Sequence, residues 1–353
     1  MSRFWSDTAR HLSPYIPGEQ PRVRGLIKLN TNEHPLEPSE KAIRAMQAVS
    51  SDSLRRYPDP TSQELCSAIA VTEGLQINQV FVGNGSDEIL AHVFQALLSS
   101  SSVVNVPDIT YSFYPVWAKL YGLECQTLPL NKDFSIDVDS LAALDGPILL
   151  ANPNAPTGIA LDLDSIEKLV FSERDRLVVV DEAYFGFGAQ SATRLLDRAD
   201  NLLVTRSLSK SHALAGLRVG FALGQSSLID GLVRVKDSFN SYPIDAMAQA
   251  GAAAAILDRE WLLGASEAVA GNRDWLVTEL TQLDFEVCPS QANFLFVRHR
   301  SAAGQAIFDG LRSRNILVRR WDKARISEHL RISIGTREQC EALIAALKAL
   351  LEE

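Results

Sequence analysis

A lysine framed by hydroxyl groups is the first place where this sequence could do chemistry. It closes the string Val204-Thr-Arg-Ser-Leu-Ser-Lys210 and is followed by Ser-His-Ala-Leu-Ala-Gly-Leu-Arg218-Val-Gly. A lysine at the edge of a predicted strand can be desolvated, which lowers its proton affinity and makes it an amine able to condense with a carbonyl. Ser207, Ser209 and Arg218 are close enough in sequence to grip a phosphate dianion beside it. Alone the string is weak. Most isolated strings of this kind are solvated loops, and the serine acyl-enzymes that use SxxK also need SDN and KTG partners, which are missing here.

Three further strings add chemistry to the lysine. In Leu177-Val-Val-Val-Asp181-Glu-Ala-Tyr184 a buried strand delivers a carboxylate at its C-terminal end, where α/β sheets place ligands. Beneath a pyridine ring such an aspartate keeps the ring nitrogen protonated and the ring an electron sink, and Tyr184 can donate to a phenolic oxygen on the same ring. A magnesium-holding aspartate would instead require a GxxxxGK[ST] loop, which the chain lacks. In Phe81-Val-Gly-Asn-Gly-Ser86-Asp87-Glu88 a strand passes through glycines into a helix, whose free N–H groups suit a phosphate. An ordinary helix cap reads equally well there, and the spacing does not fit a dinucleotide fingerprint. Asn152-Pro-Asn154-Ala-Pro156-Thr-Gly158 is a stiff turn able to wall a flat ring, or a plain strand-to-helix connection. Tyr111 could stack on an aromatic ligand, although a core position is the commoner fate. Arg319 and Arg331 fall in predicted strands, where charged residues usually face water. Only the larger assembly makes them candidates for an anionic substrate.

These strings sit on an alternating framework. Helical periodicity over residues 38–49, 62–73 and 86–98 alternates with short apolar or β-branched runs at 80–82, 103–106, 125–129, 148–151, 177–181, 202–205 and 219–223. That alternation predicts an α/β domain whose sheet is mostly parallel and covered by helices. After residue 256 the pattern changes: a long helix over 260–283, then strands at 285–288, 292–297, 316–319 and 329–334, which is an α+β layout. The expected organisation is an N-terminal arm over 1–37 without core elements, a large domain over 38–256 and a small domain over 257–353.

The 353 residues carry 34 basic and 43 acidic side chains, a net charge of −9 that gives no footing for nucleic acid or anionic membranes. No apolar run reaches the roughly 18 residues of a membrane span, and the start lacks a signal-peptide core. The four cysteines are far apart and the six histidines form no ligand pair. A cytoplasmic, metal-free protein is expected.

Taken in order, the GNGSDE, NPNAPTG and Asp181-Glu-Ala-Tyr184 strings and the Lys210–Arg218 segment resemble the fold-type I pyridoxal-phosphate aminotransferases, and within them the histidinol-phosphate aminotransferase group. The likeness runs from Lys28-Leu-Asn-Thr-Asn-Glu through Arg331-Ile-Ser-Ile-Gly-Thr-Arg-Glu. It implies pyridoxal 5′-phosphate held covalently by Lys210, which also shuttles a proton. By the same resemblance Asp181 pairs with the ring nitrogen, Tyr184 contacts the phenolic oxygen, alone or with Asn154 or a water standing in for the family's asparagine, and Tyr111 stacks on the ring. Ser86, Asp87, Ser207, Ser209 and Arg218 would hold the phosphate. Tyr57 resembles a tyrosine that reaches the phosphate from a neighbouring subunit, which implies a homodimer with composite sites. Tyr15, Arg319 and Arg331 resemble substrate contacts. The reaction implied joins a small-molecule amino donor to a 2-oxo acid: histidinol phosphate and 2-oxoglutarate give imidazole-acetol phosphate and glutamate in histidine biosynthesis. Aromatic-amino-acid transamination and threonine-phosphate decarboxylation are the alternatives. A regulatory protein on the same fold would need a DNA-binding module, for which the pattern leaves no room. One departure stands out. Many relatives have asparagine immediately before Pro-Thr-Gly, where this chain has Ala155.

Overall fold

The computed structural model describes residues 2–16, 18–21 and 23–352. Its strands in chain order are β1 (Ile27–Lys28), β2 (Val80–Gly83), β3 (Val103–Pro107), β4 (Glu124–Leu128), β5 (Ile148–Ala151), β6 (Val178–Asp181), β7 (Leu202–Ser207), β8 (Gly220–Gly224), β9 (Phe285–Val287), β10 (Phe294–His299), β11 (Ile316–Leu317), β12 (Arg319–Arg320) and β13 (Leu330–Ser333). Seven of them form the large sheet in the order β2-β8-β7-β6-β5-β3-β4. All neighbours are parallel except β8, which runs antiparallel to both β2 and β7. The central strands β5, β6 and β7 are buried throughout. Their apolar runs, residues 148–151, 178–180 and 202–204, are what a sheet covered on both faces demands.

Helices complete the two layers. One apolar cluster unites Leu150, Val178, Val180 and Val204 with Leu65 and Ile69 of helix Gln63–Glu73 and Ala252 of helix Ala246–Leu257. The other joins Leu149, Val179 and Leu203 to Ile89, Val93 and Phe94 of helix Gly85–Ala96. Alternate residues of each strand therefore serve opposite layers, and the polar strand ends are left for the site.

The small domain is an antiparallel sheet, β12-β13-β10-β9, packed against helices Arg259–Gln282, Gly304–Ser313 and Arg337–Glu352. Two expectations need correction here. The strand expected over 316–319 is split: Ile316–Leu317 pairs with β1, and Arg319–Arg320 pairs with β13. The N-terminal segment is also not wholly an arm. Ile27–Lys28 pairs in parallel with β11, Leu29 is 1% exposed, and its carbonyl accepts from the Ser333 N–H at 2.9 Å. The Leu26-Ile-Lys-Leu29 run has enough aliphatic surface to pair with β11 as a separate two-stranded sheet beside the small one, and the flanking prolines and asparagines obscured it. Among the described residues, no helix is long and apolar enough to cross a membrane.

Candidate active site

A cavity of about 880 Å³ is lined by Ala151, Asp181 and Ser207, the last residues of β5, β6 and β7, and by Arg319 and Arg331 of the small sheet. Sites at the carboxyl ends of sheet strands follow from this topology, since that edge leaves side chains and turns unpaired. The volume suits a cofactor and a small substrate together.

Ser207 ends β7 and caps the short helix Leu208–Ser211 by accepting from the Ser209 N–H at 3.1 Å. Lys210 is the third residue of that short helix and lines the cavity. Its Nζ donates to the Thr31 carbonyl at 2.7 Å. Desolvation, helped by the Arg331 and Arg218 guanidinium groups, lowers the amine to about 8, while Glu33 opposes the shift. An amine so depressed is partly neutral near physiological pH, which is the condition for attack on a carbonyl.

Asp181 is 3% exposed, yet it is not isolated. Tyr114 Oη donates to its Oδ2 at 2.8 Å, and Thr205 Oγ1 donates to its Oδ1 at 3.1 Å. Burial pushes the carboxyl up to about 6, against the pull of these two donors. A cationic ring N–H placed against it would offset that desolvation. Tyr184, also buried, accepts from Asn32 Nδ2 at 2.9 Å, and burial pushes its phenol up.

A cradle for an anion forms at the start of helix Gly85–Ala96. Arg218 has a left-handed backbone, φ +56°, which turns its side chain back across the site. Its Nη1 donates to Ser209 Oγ at 3.3 Å and its Nη2 to Asp87 Oδ2 at 3.4 Å. Gly85 has φ +82°, and a Cβ there would run into the Arg218 guanidinium. A Cβ at Gly220 would strike the backbone of Gly85 and Ser86. Both positions need glycine so that cation, hydroxyls and helix N–H groups converge. Tyr111 lines the wall and donates to Asp87 Oδ1 at 3.2 Å. Tyr15 lies against Phe113 and Tyr111, with ring centroids 4.8 and 6.2 Å away.

The structure gathers Lys210, Asp181, Tyr184, Ser86, Asp87, Tyr111, Ser207, Ser209, Arg218, Tyr15, Arg319 and Arg331 around one cavity. Asn154 is not brought there, and Tyr57, expected to act from a neighbouring subunit, also lies outside this cavity. Asn154 is 2% exposed and spent on its own turn and on the segment after β3: its amide donates to the Ile109 carbonyl and Thr157 Oγ1, and its Oδ1 accepts from Thr110. Ala155 and Pro156 face the cavity instead. Tyr57 is 82% exposed and stacked on Tyr242 at 4.7 Å, away from the cavity of its own chain. No motif gives a role to Tyr114, Thr205, Asn32 or Thr31, although the last two lie in the Lys28-Leu-Asn-Thr-Asn-Glu string. Only Tyr114 carried a usable signal: a buried tyrosine must find a partner for its hydroxyl.

The residues present fit pyridoxal phosphate: an amine for its carbonyl, a buried carboxylate for its ring nitrogen, and an arginine with hydroxyls at a helix start for its phosphate. The arrangement defines a fold-type I pyridoxal-phosphate enzyme. The profile of the aminotransferase class I and II family matches residues 24–347, and the chain belongs to that family, whose members use pyridoxal 5′-phosphate. It is 54% identical over 351 residues to histidinol-phosphate aminotransferase 1 of Bordetella parapertussis, covering 99% of each chain. It is 53% identical over 351 residues to the histidinol-phosphate aminotransferase of Gluconacetobacter diazotrophicus, again covering 99% of both. Among solved structures, histidinol-phosphate aminotransferase from Sinorhizobium meliloti in complex with pyridoxal-5′-phosphate aligns with a TM-score of 0.89 at 22% identity, covering 100% of this chain and 98% of that one. L-threonine-O-3-phosphate decarboxylase from Porphyromonas gingivalis aligns at 0.78 and 20% identity, covering 93% and 100%. The fold is thus shared across two reactions, and the reaction must be argued from the site and from the closer relatives.

Proposed function

We propose that this aminotransferase interconverts L-histidinol phosphate and 2-oxoglutarate with imidazole-acetol phosphate and L-glutamate, a step of histidine biosynthesis. The observation that carries the reading is the pairing of Arg319 and Arg331 on one wall of the cavity that holds Lys210. Arg331 donates to the Asn30 carbonyl at 2.9 Å, while its Nε is buried without a partner among the described residues. Guanidinium forks accept either a phosphate or a carboxylate, so one pair can serve both the phosphorylated substrate and glutamate. Full-length identity of 53–54% to proteins named for this reaction supports the choice of substrate.

When bound, pyridoxal phosphate would supply an electron sink for the charge left at the substrate Cα. The chain's own residues would do the rest. Lys210 would hold the cofactor covalently and, once displaced by substrate, would carry a proton as its amine. Asp181 would keep the ring nitrogen protonated, Tyr184 would donate toward the phenolic oxygen, and Tyr111 would cover a ring face. Arg218, the backbone N–H groups of Ser86 and Asp87, and the hydroxyls of Ser207 and Ser209 would grip the phosphate, with Tyr15 beside the substrate. A large division over residues 38–256 and a small one over 257–353 would meet at the cavity, with residues 27–28 joined to the small one through β11. We also propose a homodimer. Leu54, Tyr57, Phe239, Tyr242 and Met247 are exposed large apolar groups, and such groups are candidates for burial against a second copy.

Parallel assays of purified holoenzyme with histidinol phosphate, phenylalanine and threonine phosphate test the reading. Histidinol phosphate should give the highest kcat/KM and an oxo product without CO₂ release. Higher kcat/KM with phenylalanine, or CO₂ from threonine phosphate, would overturn it.

A further inference from the structure

The base of the cavity holds a device that the motifs do not reveal. Tyr114 opens the helix Tyr114–Tyr121 three residues after Tyr111, and its ring is fully buried against Tyr111 and Trp117. Its hydroxyl reaches Asp181 Oδ2 at 2.8 Å. On the adjacent strand β7, Thr205 is 0% exposed and spends its hydroxyl on Asp181 Oδ1 at 3.1 Å. Each carboxylate oxygen therefore has a donor from a different element before any ligand arrives, and the remaining lone pairs are left for the cavity that Asp181 lines.

An aspartate this buried, without donors, would take up a proton and could no longer accept from a cationic ring. We propose that Tyr114 and Thr205 are positioning residues for Asp181: their hydroxyls fix its orientation and keep it ionised, so that it accepts the N–H of the cofactor's ring. The inference rests on the reading of Asp181 as partner of that nitrogen. The donors also make the carboxylate a weaker base, which leaves the shared proton on the ring side. The other titratable or charged groups facing Asp181 are Asp87 from helix Gly85–Ala96, Tyr111, Tyr184 and the Lys210 amine across the cavity. Asp87 opposes ionisation of Asp181, and Arg218 moderates it through their ion pair. None of these groups donates a hydrogen bond to Asp181 among the described residues; the Ala183 backbone N–H also favours the ionised carboxylate, but less than the Tyr114 and Thr205 hydroxyls do.

The test reads ionisation directly in the apoprotein, with carboxyl-¹³C-labelled aspartate and the Asp181 signal identified by its loss in Asp181→Asn. Tyr114→Phe should raise the titration midpoint of Asp181 by roughly one pH unit, the scale of one hydrogen bond to a charged group. Thr205→Val should raise it by less. In the holoenzyme Tyr114→Phe should lower kcat roughly tenfold and leave KM within about twofold, since the hydroxyl touches no substrate. Trp117→Phe, which disturbs the same packing without a donor, should leave the midpoint in place. A folded Tyr114→Phe protein with an unmoved midpoint overturns the inference, and if that variant does not fold, an unmoved midpoint in Thr205→Val does so. Should Asp181→Asn retain wild-type cofactor affinity and turnover, the reading of Asp181 itself fails, an outcome distinct from an unmoved midpoint beside an inactive Asp181→Asn.

Discussion

Removing the Arg206 side chain charge should destabilise the protein far more than any surface change. Arg206 is 2% exposed and neighbours Ser207, while Glu182, also 2% exposed, neighbours Asp181. Arg206 donates to Glu182 at 2.9 Å, to Glu73 at 2.6 Å and to Ser191 at 2.7 Å, and its guanidinium lies 3.6 Å from the Phe185 ring centroid. The pair therefore ties β6 to β7 where both deliver residues to the cavity. Arg206→Met keeps the bulk but leaves the Glu182 carboxylate buried without its cation. Breaking one partner of such a pair costs about 3–5 kcal/mol. For a chain of this length that is roughly 4–7 °C in Tm. Urea unfolding of cofactor-saturated protein would measure it through the transition midpoint at constant slope. Combining Arg206→Met with Glu182→Gln should recover about 1–3 kcal/mol relative to the sum of the single changes, because the orphaned charge is gone. A loss below about 1 kcal/mol for Arg206→Met, or strict additivity in the pair, would refute the reasoning.

Lys210 in the apoprotein should react with a carbonyl reagent along a titration centred near 8, the value to which burial lowers it. Because a depressed base holds fewer protons when folded, its reactivity rises with pH through that value, and near neutrality it should exceed that of an ordinary lysine about 300-fold. Borohydride trapping across pH 6–11 checks it, and a midpoint near 10.5 would deny the desolvation. Arg325 of the small domain bridges to Asp108 at 2.9 Å and to the Leu130 and Asn131 carbonyls at 2.7 and 2.9 Å. Arg325→Gln should loosen this closure across the cavity mouth and raise KM roughly fivefold, about 1 kcal/mol for a solvent-screened contact, with steady-state kinetics as the measure.

How far the sequence could be read differs from residue to residue. The strand at 148–151 was legible to the residue because four apolar side chains are bounded by prolines, and a strand buried on both faces has no other pattern. Asp181 was legible because a charge at the end of such a strand has few bland explanations. Arg331 was harder. It sits in a small-sheet strand, where local patterning points a charge to water, but its head group turns inward, 5.4 Å from the Phe294 ring and 5.2 Å from Trp321. Asn32 and Thr31 were invisible, since their partners Tyr184 and Lys210 lie 152 and 179 residues away. Asn154 lies in a motif turn, but packing commits its amide to the Ile109 carbonyl and Thr157 Oγ1 and gives the cavity wall to Ala155.

The account depends on one covalent link, between the cofactor and the amine of Lys210. Borohydride reduction of the holoenzyme, followed by peptide mapping, should place a pyridoxyl group on Lys210 alone and abolish the protein's visible absorbance. A pyridoxyl group on any other lysine, or none at all in protein that remains active, would contradict it.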